Sequence, residues 1–183
     1  MQSKMENGNW IHPRAMLVAG IVFAAAALRA LPHPLNFAPI GALALFAGTY
    51  FSNKRAAIAV PLLSLVAGDI FTGFHRLVPY VYASFLVSTA IGFLLRGRKS
   101  VVRISAATLA GAVQFFLITN FAMWASSIGN YPKNAAGLVE CYLAGIPLFW
   151  NTLAGDAFYA ALLFGVMALA EKRFPSFREP LSA

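Results

Sequence analysis

Six apolar runs dominate this chain: Pro13 to Leu31, Phe37 to Phe51, Arg55 to Phe74, Pro79 to Leu95, Val102 to Ser126 and Leu148 to Ala170. A helix that crosses a bilayer needs about 20 mostly apolar residues at about 1.5 Å each, so runs of this length predict transmembrane helices. The second run is the shortest and is entered through Pro39, which suits a first helical turn. The small share of charge agrees with a membrane class: 60% of the residues are hydrophobic and 11% charged, where a water-soluble domain keeps about a quarter charged. The first run is too long for a removable signal peptide and lacks a small-residue cleavage site, so it is expected to remain as a helix. The expected organisation is all-α: a tail over 1–12, a six-helix transmembrane domain over 13–173, and a second tail over 174–183.

The basic residues orient this bundle. Cytoplasmic loops retain Lys and Arg. With the N-terminus inside, Lys4, Arg14, Lys54, Arg55, Arg96, Arg98, Lys99, Arg103, Lys172, Arg173 and Arg178 are cytoplasmic, and only Arg29, Arg76 and Lys133 lie outside. Both termini are therefore expected in the cytoplasm. The net charge of +8 follows from short basic clusters at the inner membrane surface, not from a nucleic-acid face.

The remaining polar residues gather at the opposite helix ends. Between the first two runs lie Arg29, His33 and Asn36; the third ends with Asp69, and His75 and Tyr80 follow it. The fifth ends in "TNFAMWASSIGNYP", with Asn120, Trp124 and Tyr131, and the sixth begins with Asn151 and Asp156. These residues, with Cys141, are the candidate ligand-binding set. Trp and Tyr also settle at membrane interfaces for reasons unrelated to ligands. Asp69 and Asp156 are different, because an ion inside an apolar helix costs about 3 kcal/mol or more unless paired or hydrated. Arg29 is a natural partner, either in a structural ion pair or beside a ligand. Asp69 shares a helix face with Thr72, Asp156 with Tyr159 and Asn120 with Trp124. Such faces around one outer hollow suit a small ligand that contains a ring.

The long stretch 127–147, "SIGNYPKNAAGLVECYLAGIP", is bracketed by Pro132 and Pro147, with Leu138, Cys141, Tyr142 and Gly145 at helical spacing. It is expected to form a short surface helix, acting as a lid or as an interfacial cap. Cys141 is the only cysteine, so no intrachain disulfide forms; it is either a packing residue or a ligand to a metal centre such as that of cobalamin. The histidines show no metal-site spacing, and no metal is expected. Small residues recur at four in the first run (Ala15 and Ala19, Gly20 and Ala24, Ala26 and Ala30), in the second (Ala44 and Gly48) and in the fifth (Ala106 and Ala110). Such stripes serve close helix packing or docking of another membrane protein.

The motifs "LPHPLNFAPIGALALFAG", "AGDIFTGFH", "TNFAMWASSIGNYP" and "GLVECYLAGIPLFWNTLAGD" resemble those of a bacterial membrane family similar to the substrate-binding S-component of energy-coupling factor (ECF) vitamin transporters. The resemblance runs from Arg14 to Arg173. It implies a capture subunit in the bacterial cytoplasmic (inner) membrane with no permanently bound cofactor. Such a subunit binds a vitamin or similar micronutrient outside and is toppled by an ECF-type coupling protein with two ATPases. The chain has no G-x-x-x-x-G-K-[ST] pattern, so ATP would be hydrolysed elsewhere. The start "MQSKMENGNW" lacks the Met-His terminus of the nickel and cobalt branch, while a cobalamin-type ligand through Cys141 stays open.

Two other classes compete. A membrane enzyme acting on a lipid or small amphiphile needs a converging catalytic set; G-x-S-x-G and H-E-x-x-H are missing, and the helix-embedded carboxylates are Asp69 and Asp156. A scaffold subunit would use its polar helix ends only to bind neighbours.

Overall fold

The computed structural model describes residues 13–28 and 34–177. The expected tail 1–12, Arg29 and His33 lie outside the described residues. Six α-helices, and no strand among the described residues, make up the fold: α1 (Pro13–Leu28), α2 (Ile40–Tyr50), α3 (Lys54–Thr72), α4 (Val78–Leu94), α5 (Val101–Ala125) and α6 (Ala135–Arg173), followed by a 3-10 turn at Pro175–Phe177 that packs on α1 and α6.

Local signals set several of these ends. The Asn53 side chain accepts from the Arg55 and Ala56 amides at the start of α3, Ser100 from Arg103 on α5, and Asn134 from Gly137 on α6. Each satisfies amides that a helix N-terminus otherwise leaves open. Pro79 occupies the first turn of α4, where a missing N–H costs nothing.

Side-chain pairings give the helix directions. Tyr82 on α4 donates to Asp69 near the end of α3. Gln114 on α5 donates to Ser84 and Ser88 on α4, and Tyr142 on α6 donates back to Leu117 on α5. Thus α2, α4 and α6 run one way, and α3 and α5 the other. Two helices, α5 and α6, are long and apolar enough to cross a membrane.

Helix α2 departs most from expectation. It has 11 residues, about 16 Å at 1.5 Å per residue, roughly half the hydrocarbon thickness of a bilayer. Every residue except Gly41 is buried, and α2 touches all five other helices. An apolar surface on all sides makes it a central post rather than a lipid-facing helix. Phe46 stacks edge-on against Phe164 of α6 with centroids 5.4 Å apart, and Val18, Val22, Leu163 and Met167 close around it. Gly48 and Gly92 let α2 and α4 approach backbone to backbone: a Cβ on Gly48 would overlap the Thr89 carbonyl oxygen. Thr49 bridges the same seam by donating to Gly92 O at 3.2 Å.

Both ends of α2 are held by distant side chains, an acid at one and a base at the other. The Ala42 amide donates to Asp156 Oδ1 at 3.1 Å, and Arg96 donates to Gly48 O at 2.8 Å and Phe51 O at 2.6 Å. Acid at the N-terminus and base at the C-terminus match the helix dipole. Arg96, expected as an inner-surface anchor, therefore caps a helix within the fold.

Helix α6 corrects the expected lid. Residues 135–147 are not a separate surface helix but the first turns of a continuous 39-residue helix, about 58 Å long. Pro147 lies inside it; lacking an N–H, it interrupts the hydrogen-bond ladder without ending the helix. The N-terminal turns pack on α5: Cys141 Sγ donates to Asn120 O at 3.4 Å, and Phe116 meets Tyr142 and Phe149. The small-residue stripes also divide. Ala19, Gly20 and Ala24 on α1 are exposed, as are Ala106 and Ala110 on α5, whereas Ala44 and Gly48 on α2 are buried.

Candidate functional site

The N-terminal ends of α2 and α4, the middle of α6 and the C-terminal half of α5 surround a cavity of about 420 Å³. Its inner end is formed by Gly41, Leu65, Ser88, Gly111 and Asp156, and its walls carry Phe85, Phe115, Phe116 and Phe149. Nearer the helix ends lie Asn36, His75, Thr119, Asn120, Met123 and Thr152. A second void of about 10 Å³ continues beneath it, sharing Gly41, Ser88, Gly111 and Asp156 and reaching Thr108.

Asp156 closes the inner end because α6 crosses the start of α2 there. Its side chain is 5% exposed. A Cβ at Gly41 would sit within 2.7 Å of the Asp156 carboxyl carbon, so glycine is what admits the carboxylate against α2. Oδ1 takes the Ala42 N–H; Oδ2 takes no hydrogen bond from the described residues. Among the described residues, no Lys or Arg lines the cavity.

Of the expected set, Asn36, His75, Asn120 and Asp156 meet on this cavity. Asn36 adopts a left-handed backbone, φ 62°, which Asn tolerates better than most residues. His75 Nδ1 accepts from the Leu77 amide at 3.3 Å, at the turn into α4. Asn120 Nδ2 donates to Phe116 O within α5, and its amide packs against Gly145 of α6.

The other described candidates serve the frame. Asp69 is buried, accepts from Tyr82 at 2.8 Å and does not line the cavity. Trp124 Nε1 donates to Pro132 O at 2.8 Å, with the Lys133 ammonium 5.2 Å from its ring centroid, so it pins the α5–α6 connection. Tyr131 packs on Gly129 in that connection. Asn151 donates to Leu35 O at 3.0 Å and ties α6 to the segment leading into α2. Cys141 is buried against α5, and Tyr80 is exposed on α4; neither lines the cavity. Among the described residues, no group of three or more His, Cys, Asp and Glu is placed to hold a metal ion.

Sequence reasoning left Thr119, Thr152 and the phenylalanine walls out of the candidate set. Their signal is helical phase. Stepping back from Asp156 by four and seven residues reaches Thr152 and Phe149, and stepping back from Asn120 by four reaches Phe116.

Fold and cavity together define a class: an all-helical apolar bundle with an aromatic-walled hollow at one end and a buried carboxylate at its floor. The chain belongs to a family of unknown function, DUF6580, which it matches over residues 9–177. No curated protein and no solved structure matches it.

Proposed function

We propose that this protein is a six-span membrane subunit that captures a vitamin or related small micronutrient from outside the cell for uptake, in the manner of an ECF S-component. One observation carries the proposal: a cavity of about 420 Å³, within the usual 300–1,000 Å³ range of small-molecule sites, opens among the helix ends opposite the basic ones. Lys54 and Arg55 begin α3, Arg98, Lys99 and Arg103 flank the start of α5, and Lys172 and Arg173 end α6. By the positive-inside preference that end faces the cytoplasm and the cavity faces outward. The short α2 needs no lipid-length surface of its own, because it is enclosed by the other helices. Bacterial inner-membrane residence and an energising partner follow from the S-component likeness and are part of the proposal.

Capture is preferred over lipid chemistry because Asp156 is the one carboxylate on the cavity among the described residues, while Asp69 is engaged by Tyr82. The test is mass spectrometry of small molecules retained by the purified protein, compared with the cavity-filling variants Gly111→Leu and Thr119→Trp. Capture predicts a compound bound to the wild type and lost from folded variants. Equal retention by wild type and both fillers contradicts it.

A further inference from the structure

Resting on that capture reading, we infer that the cavity selects a ligand carrying a positive charge on or beside a ring: a protonated amine, an amidinium or a cationic ring nitrogen. The Asp156 carboxylate is buried at the floor of the cavity. One of its oxygens is spent on the Ala42 amide, and the other has no donor among the described residues. The start of α2 thus holds the carboxylate in place, and its positive dipole end offsets part of the charge. It leaves Oδ2 as an acceptor at the inner end of the hollow.

Among the described residues, no basic side chain on the cavity wall stands beside this group. Among the described residues the lining has no Lys or Arg, and its one other titratable side chain is His75, at the turn before α4. Around the floor stand Phe85, Phe115, Phe116 and Phe149, whose ring faces attract cations and whose bodies receive flat rings. An anionic ligand would gain nothing from a buried acid with no base beside it among the described residues, and a neutral ligand would leave that acid without a cationic partner. A cation on a ring satisfies carboxylate and walls together.

Matched probes test this with the full-length protein in detergent. Benzamidine and benzamide share shape and differ in charge, as do tryptamine and tryptophol. The expected result is that each cation binds the wild type about tenfold or more tightly than its neutral counterpart, a difference typical of one desolvated charge contact. In Asp156→Asn, which keeps an oxygen for the Ala42 amide, that preference falls to about unity while the neutral probes bind as before. A melting profile of the variant close to wild type separates loss of charge from loss of fold; if Asp156→Asn does not fold, the wild-type preference alone decides. Equal or tighter binding of the neutral members, a preference that survives in Asp156→Asn, or no binding of any probe overturns the inference. If a neutral or anionic compound is retained by the wild type and lost from the filled cavities, capture stands and the cation preference is wrong. If nothing is retained and no probe binds, both fall.

Discussion

Replacing Gly48 with Ala tests whether α2 is held by backbone contact with α4. An Ala Cβ at 48 would overlap the Thr89 carbonyl oxygen and lie 3.0 Å from Gly92 Cα, where ordinary contact begins near 3.4 Å. The obstruction is backbone on a packed helix, so α2 and α4 must separate. That opens the Thr49 bond to Gly92 O, now 3.2 Å, and the Arg96 bond to Gly48 O, now 2.8 Å. Overpacking of this kind costs about 1–3 kcal/mol, and a weakened hydrogen bond about 1 kcal/mol more. Better helix propensity returns about 0.5–1 kcal/mol. The net loss is about 2 kcal/mol, which lowers Tm by roughly 4–8 °C for a chain of this size. Gly165→Ala is the control: nothing lies within 4 Å of its added Cβ, so propensity alone acts and Tm stays level or rises by about 2 °C. Melting followed by tryptophan fluorescence in detergent measures both. Equal shifts of the same sign would show that the α2–α4 contact is not close enough to matter.

Arg96→Met removes both bonds from the C-terminal end of α2; a loss of about 2 kcal/mol is expected in the same melt, with partial recovery in Arg96→Lys, whose single ammonium lacks the guanidinium fork. Trp124→Phe gives up the bond to Pro132 O and should cost about 1 kcal/mol, yet calorimetric titration with a bound probe should show unchanged affinity because Trp124 does not line the cavity. Cys141, 2% exposed, should resist maleimide in the folded protein and react on unfolding. Cys141→Ala should keep any retained ligand, and loss of ligand with an unchanged melt would revive a ligating thiol.

Helix positions were the legible part. Runs of apolar residues place α3, α4 and α5 within two residues of their observed ends. The length of α6 was not legible, because Pro147 reads as a boundary; only packing of Cys141, Tyr142 and Gly145 against α5 keeps the helix continuous through it. The burial of α2 was visible as an apolar surface without a polar side, but a short apolar run also reads as a thin span. For the site, sequence identified the helix ends and not their rotation. Asn120 and Asp156 turn into the cavity, whereas Trp124, Asn151 and Asp69 sit at the same end and face backbone carbonyls or a tyrosine.

Sidedness is the most direct test of the central claim. His75 is exposed beside the cavity and Arg98 is exposed between α4 and α5 at the far end. In a Cys141→Ala background, His75→Cys should react with a membrane-impermeant maleimide on intact cells, and Arg98→Cys only after permeabilisation. Labelling of Arg98→Cys from outside, with His75→Cys protected until the membrane is opened, would turn the cavity toward the cytoplasm and contradict uptake by external capture.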